Sequence, residues 1–169
     1  MVIPDGGKVL FQGQDISRSH GYRTQIGYLP QIARFPDNLS VGEIIHMIAD
    51  IRNQPSKPEP LIALFGLDKF MDKKLGNLSG GTRQKVNIVL TFMFDTPVIV
   101  LDEPTAGLDP VSLIKLKELI NTAKSSGKIV LITSHIMSLV EELSDEIIFL
   151  LEGDIYFKGA LSELKIKTG

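Results

Sequence analysis

Two adjacent carboxylates, Asp102 and Glu103, follow the apolar run VIVL in the stretch VIVLDEPTAGLDP. Removing a carboxylate from water is costly, so a pair at the end of a buried strand requires a cation or several hydrogen-bond donors. An Asp at the carboxyl end of a strand can hold Mg²⁺ beside a phosphate, and a neighbouring Glu can deprotonate an attacking water. A lone acid would more ordinarily cap the next turn, whereas the pair with LDP following it favours a site.

A glycine-rich helix start, LSGGTRQK, precedes this strand in the chain. Ser79 can cap the helix, and Gly80 and Gly81 allow backbone N–H groups to approach a phosphate closely. The amino end of a helix carries roughly half a positive charge, which favours an anion there. A bare pair of glycines is an ordinary helix start, but the full string is far less common and indicates phosphate binding.

Three further polar residues flank the predicted elements. His135 follows the strand KIVLITS and could donate a hydrogen bond to a phosphate oxygen, although a lone histidine is more often structural or exposed. Gln31 lies in a loop bracketed by prolines and is uninformative on its own. Asp109 precedes Pro110 and is expected to cap the helix that begins there.

The pattern of apolar residues predicts the elements that position these side chains. Ser40 and Glu43 form a capping box ahead of one helix, and another helix, from about Ser79 to Phe94, is apolar on all sides and should be buried. VIVLD and KIVLITS lack alternating polarity, which predicts strands covered on both faces. The remaining predictions are strands at KVLF, IGYLP, EIIFLL and DIYFKG and a terminal helix at ALSELKIKT. Alternating strands and helices predict an α/β fold with a mainly parallel sheet.

Composition restricts the classes of function. The chain has 169 residues, enough for one domain, and a net charge of −2, so no nucleic-acid partner is expected. It has no cysteine, which excludes disulfides, thiolate metal sites and a cysteine nucleophile. No apolar run reaches the roughly 18 residues that a membrane span needs.

Taken in order, GYLPQ, LSGGTRQK, VIVLDEP, AGLDP and ITSH resemble the motifs of ABC-transporter ATP-binding subunits over nearly the whole chain. The resemblance implies a partial P-loop NTPase (RecA-like) core with an inserted α-helical subdomain. The core would comprise residues 1–31 and 95–169, and the subdomain residues 32–94, ending in the signature helix. The implied function is to bind and hydrolyse ATP, with Mg²⁺, in order to energise a transporter.

The resemblance also implies roles for individual residues. Asp102 would hold Mg²⁺, Glu103 would be the general base and His135 would contact the γ-phosphate. Gln31 would sense both the Mg²⁺ and the attacking water and would contact the membrane subunit. A signature made of Ser79, Gly80 and Gly81 would bind the γ-phosphate of ATP held by a second copy, while the loop that ends at Asp109 would communicate across that dimer.

The partners implied by the resemblance are an ABC membrane permease subunit and a second ATP-binding subunit. The expected location is cytoplasmic, at the inner face of the membrane and attached through the permease. The family's phosphate loop, GxxxxGKS or GxxxxGKT, has no match here: Lys8 after Gly7 precedes Val9, and Lys128 after Gly127 precedes Ile129. We therefore expect a chain that is truncated before this loop, or lacks it, and is inactive alone.

Two alternative functions remain open at this point. One is a soluble ABC ATPase that acts on ribosomes or DNA, a class that usually has two ATPase halves or long coiled-coil insertions. This chain shows a single set of motifs and no heptad run. The other is a non-catalytic interaction module, against which the presence of Glu103 and His135 argues mildly.

Overall fold

The computed structural model describes residues 6–160 and 162–163. Its strands are β1 (Leu10–Phe11), β2 (Gln14–Asp15), β3 (Ile26–Leu29), β4 (Val98–Asp102), β5 (Ile129–Thr133), β6 (Ile147–Leu151) and β7 (Asp154–Gly159). Its α-helices are α1 (Val41–Arg52), α2 (Glu59–Phe65), α3 (Gly80–Phe92), α4 (Pro110–Ser125) and α5 (Met137–Leu143). Short 3-10 helices occupy Gly21–Gln25, Asp68–Phe70 and Leu75–Asn77. The predicted terminal helix ALSELKIKT lies mostly outside the described residues.

A parallel sheet in the order β3-β4-β5 forms the centre of the described fold. Leu29 is paired with Leu101, and Asp102 with Thr133, so the carboxyl ends of the three strands lie at one edge. Parallel strands need helical crossovers, and α3 and α4 are the helices that lie immediately before β4 and β5 in the chain. This arrangement confirms the predicted α/β fold.

The strands predicted at EIIFLL and DIYFKG form a hairpin of their own instead of extending the parallel sheet of the described residues. Leu151 pairs with Asp154 across a two-residue turn. Both turn residues, Glu152 and Gly153, have positive φ, at 51° and 93°. Such a turn matches the twist of antiparallel strands, so β6 and β7 pair locally with each other.

Only one face of the parallel sheet is covered by the described residues. Leu29, Ile99 and Leu101 are buried on the covered face, where α3 approaches so closely that a Cβ at Gly27 would lie 2.9 Å from the Thr91 carbonyl oxygen. On the other face Leu131 is 55% exposed. The prediction that KIVLITS is buried on both faces is therefore wrong for these residues, because no described helix lies over the second face.

The helix starts behave as predicted. Ser40 and Glu43 form the capping box of α1, with hydrogen bonds of 3.2 Å and 2.7 Å.

At its other end α1 is joined to the sheet by Arg52. The Arg52 guanidinium donates to the carbonyl of Ile26 at 3.1 Å and to two carbonyls just before it, and it lies 4.4 Å from the ring centroid of Phe94. A cation–π contact and shared hydrogen bonds thus fix α1 to the start of β3.

Candidate functional site

The carboxylate pair lies at the carboxyl end of β4, at the edge where the parallel strands end. Asp102 accepts a hydrogen bond at Oδ1 from the hydroxyl of Thr133, with the two oxygens 2.5 Å apart. These two residues are direct neighbours in the register of β4 and β5. The hydroxyl therefore orients the carboxylate that the sequence assigned to Mg²⁺.

Glu103 takes a backbone conformation that is uncommon for a residue with a side chain, with φ of 46°. Its N–H donates to the carbonyl of Thr133 at 3.1 Å. Its Oε1 accepts the backbone N–H of His135 at 3.1 Å and lies 2.8 Å from Nδ1 of the same residue. The structure thus brings together Glu103 and His135, which are 32 residues apart in the chain.

Gln31 lies two residues beyond Leu29 and lines a cleft of about 270 Å³. The other lining residues come from the loop after β3, the start of α3 and the loop after β4: Ile32, Ala33, Gly80, Arg83, Gln84, Ala106 and Gly107. Gln31 therefore lines the same cleft as residues of the predicted signature and of the loop that follows the carboxylates.

The start of α3 is built around Ser79. The Ser79 hydroxyl accepts the N–H of Thr82 at 3.2 Å and lies 2.9 Å from the hydroxyl of Thr82. A Cβ added at Gly80 would meet nothing within 4 Å, so that backbone is open to an approaching ligand. The helix amino end and this open backbone can together receive an anion.

Gly81 is required for a different reason. A Cβ there would lie 2.4 Å from the carbonyl oxygen of Gly107, closer than real Cβ atoms approach. Gly107 has φ of 72°, the left-handed region that favours glycine. The sequence interpretation assigned both glycines to phosphate binding, which stays a prediction, and the structure adds that Gly81 allows α3 to contact the loop after β4.

Asp109 lies at the end of this loop and caps α4. Its Oδ1 accepts the N–H of Ser112 and its Oδ2 accepts the hydroxyl of Ser112, both at 2.9 Å. Lys85 of α3 forms an ion pair with Oδ2 at 2.7 Å. The hydrogen bond from Lys85, followed by those from Ser112, holds the pKa of Asp109 well below its usual range.

Three residues of this region escaped the sequence interpretation: Thr133, Gln84 and Lys85. Gln84 is 6% exposed, and its Nε2 donates to the carbonyl of Pro104 at 2.9 Å. The sequence alone gave no signal for Gln84, because its burial and its contact with Pro104 depend on how α3 packs against the loop after β4. The partner of Asp102 could have been found only from the strand register, which requires the sheet order.

The donor set at the sheet edge fits Mg²⁺ held together with a phosphate ligand. Among the described residues there is no group of three or more His, Cys, Asp or Glu side chains that could hold a metal alone. Mg²⁺ in nucleotide sites commonly takes one or two carboxylates together with substrate phosphates and water. Asp102, oriented by Thr133, can supply that single carboxylate.

Known proteins resemble this chain in sequence and in fold. The sequence model of the family described as ABC transporter matches residues 1–106. The chain belongs to the ABC transporter family. ABC-type transporter ATP-binding protein EcsA of Bacillus subtilis is 30% identical to it over 175 residues, which cover 100% of this chain and 71% of EcsA. The uncharacterized ABC transporter ATP-binding protein all4389 of Nostoc sp. is 32% identical over 172 residues, 97% of this chain and 51% of that protein.

A solved ABC transporter structure has the same fold. The structure of an ATP binding subunit of an ABC transporter superposes with a TM-score of 0.89 at 28% identity, covering 98% of this chain and 72% of that one. The RecA-like P-loop NTPase fold and the nucleotide-binding class predicted from the motifs are thereby confirmed. The chain spans about half to seven-tenths of the length of these three proteins. None of the described helices is long and apolar enough to cross a membrane.

Proposed function

We propose that the described sheet edge is one half of an ATP-hydrolysing site that energises a transporter. The observation that carries the proposal is the contact between Glu103 and His135, next to that between Asp102 and Thr133. Four side chains from the ends of two parallel strands and the loops after them converge there, where α/β sheets bind ligands. Family membership supplies the ligand class, a nucleotide.

Each acid in this proposal has a separate task. Asp102 supplies a carboxylate to Mg²⁺, which when bound neutralises phosphate charge. Glu103 accepts a proton from the attacking water, and its carboxylate is 17% exposed and held in position by His135. The side chain of His135 is 81% exposed, so its ring can turn from Glu103 to a phosphate oxygen. Gln31, at the end of the neighbouring strand, orients the water and the metal.

The signature completes the site of a second copy. Ser79, Gly80 and Gly81 present the amino end of α3, and the backbone at Gly80 is open. An anion bound there experiences the positive end of the helix dipole. Asp109 fixes the adjoining loop through its ion pair with Lys85. In the proposed dimer each signature faces the nucleotide of the other copy.

The helical part of the chain is proposed to contact the permease. Residues 32–94 contain α1, α2 and α3 and lie between the core segments 1–31 and 95–169. Gln31 stands at the boundary between the first core segment and this subdomain, where it lines the cleft with the signature. A permease that presses on the subdomain would hold the chain at the cytoplasmic face of a membrane.

A chimera tests this proposal. The 169 residues contain no GxxxxGKS or GxxxxGKT string, so a segment from an ATP-binding subunit that carries such a loop would be fused ahead of them. We expect ATPase activity that depends on Mg²⁺ and falls about 10²- to 10⁴-fold in Glu103→Gln. Glu118→Gln, on the exposed face of α4, is the control and should retain full activity. Normal hydrolysis by Glu103→Gln would refute the assignment of the base.

A further inference from the structure

The loop that follows the carboxylates is attached to the signature helix near its beginning. Gln84 of α3 donates its side-chain amide to the carbonyl of Pro104 at 2.9 Å, and Gln84 is 6% exposed. Pro104 is the residue directly after Glu103. A buried amide of the signature helix is therefore hydrogen-bonded to the residue that follows the proposed base. Loss of this bond would leave the buried carbonyl of Pro104 unpaired.

The middle and the end of the same loop are attached to the same helix. The Gly107 carbonyl lies so close to Gly81 that a Cβ at Gly81 would be 2.4 Å away. Lys85 is paired with Asp109 at 2.7 Å. Three contacts of different chemistry, one hydrogen bond, one backbone approach and one ion pair, thus fix residues 104–109 to the first turns of α3.

The conformation of Glu103 depends on such surroundings. With φ of 46° it occupies a region that is unfavourable for a residue with a Cβ. Strained backbone of this kind persists only where neighbouring contacts over-determine it. The contacts on the two sides of Glu103 are the Thr133 carbonyl, which accepts its N–H, and Gln84, which holds the next residue.

We propose that Gln84 and Lys85 are positioning residues that fix the loop 104–109 to the signature helix, so that the signature and Glu103 shift as one unit. The inference deepens the proposed function and rests on it, because the roles of the signature and of Glu103 are assigned there. The link between the signature helix and Glu103 consists of direct contacts: Gln84 with Pro104, Gly81 with Gly107 and Lys85 with Asp109.

Hydrogen exchange and the resonances of histidine rings test the coupling in the chain itself, without nucleotide. In Gln84→Leu, amides of residues 105–109 should exchange about 5- to 30-fold faster. Lys85→Met should give a smaller increase in the exchange rate of these amides, and Lys85→Arg, which keeps the charge, should give none. In the unmodified chain, 1 M salt should produce the same increase as Lys85→Met, because salt screens an exposed ion pair. The ring resonances of His135 should shift in Gln84→Leu, while those of His20 and His46 should not.

The matched control is Lys117→Met. Lys117 of α4 pairs with Glu142 of α5, with side-chain exposures of 23% and 50%, against 20% and 48% for Lys85 and Asp109. Lys117→Met should leave the amide exchange rates of residues 105–109 and the ring resonances of His135 unchanged. If Gln84→Leu fails to fold, Lys85→Met and Lys85→Arg, at a more exposed site, still decide the exchange measurement.

The inference is overturned if the amides of residues 105–109 exchange at the original rate in folded Gln84→Leu and in Lys85→Met. It is also overturned if Lys117→Met accelerates them equally, since the effect would then be a general loss of stability. An inactive chimera would instead count against the proposed function and leave the measured coupling intact. The two failures are therefore distinguishable.

Discussion

Nδ1 of His135 lies 2.8 Å from Oε1 of Glu103, and the same carboxylate oxygen accepts the backbone N–H of His135 at 3.1 Å. The backbone bond survives any rotation of the imidazole ring. The proposed base thus keeps one fixed donor even when the ring, which is 81% exposed, turns away. A single residue can in this way both orient the carboxylate and offer a mobile donor to a ligand.

The 169-residue chain alone should bind ATP weakly. In P-loop NTPases the phosphate loop supplies a lysine and most of the backbone donors that hold the β- and γ-phosphates, and this sequence has no GxxxxGKS or GxxxxGKT string. A titration with a fluorescent ATP analogue should show no saturation in the micromolar range, with the chimera that carries a phosphate loop as the positive control. Micromolar affinity of the unfused chain would contradict this expectation.

Alanine at the two signature glycines should have different effects on stability. Gly81→Ala places a Cβ 2.4 Å from the Gly107 oxygen and should lower the free energy of unfolding by about 1–3 kcal/mol, as overpacking does. Gly80→Ala meets nothing within 4 Å, and it should be neutral or stabilise by up to about 1 kcal/mol because alanine favours a helix. Urea unfolding followed by circular dichroism measures both. Equal destabilisation would refute the close contact between Gly81 and the loop.

Asp109→Asn should reduce stability at neutral pH and lose this effect in acid. Asparagine remains a good helix cap, so the change isolates the charge that Lys85 and Ser112 stabilise. Since the pKa of Asp109 is lowered in the folded state, its contribution is present above the unfolded pKa of about 3.9 and is lost as the pH falls below it. The difference in unfolding free energy between the two proteins should shrink below about pH 4. A difference that stays constant from pH 7 to pH 3 would show that the charge of Asp109 is not involved.

Much of the fold was predictable because it is determined locally. The capping residues Ser40, Ser79 and Asp109 each satisfy the first N–H groups of a helix, and the structure confirms all three. The pairing of β6 with β7 was missed because it is determined by a two-residue turn at positive φ, which was overlooked. The exposure of β5 was missed because its apolar residues are the same whether or not its second face is covered.

The site was predictable to a smaller extent. Spacing and motif order indicated Asp102, Glu103 and His135, but the hydroxyl of Thr133 and the amide of Gln84 became visible only when strands and helices were placed side by side. Contacts of this kind join residues 20 or more positions apart. Sequence periodicity carries no information about them, because it reports only which face of its own element a residue occupies.

The face of the parallel sheet that no described helix covers should cause the chain to self-associate. The register aligns Ile26, Val98 and Ile129 in one row and Tyr28, Val100 and Leu131 in the next, on the face opposite α3. Of these, Tyr28, Ile129 and Leu131 are 55–61% exposed, and contiguous apolar surface of this kind drives association in water. Sedimentation velocity should show a sedimentation coefficient that rises with concentration.

The double variant Tyr28→Thr and Leu131→Thr should reduce that rise, because threonine keeps strand propensity while removing apolar area. Ile51→Gln, at a residue of α1 that is 70% exposed, is the control and should change nothing. A monomer at every concentration would show that this face does not drive association.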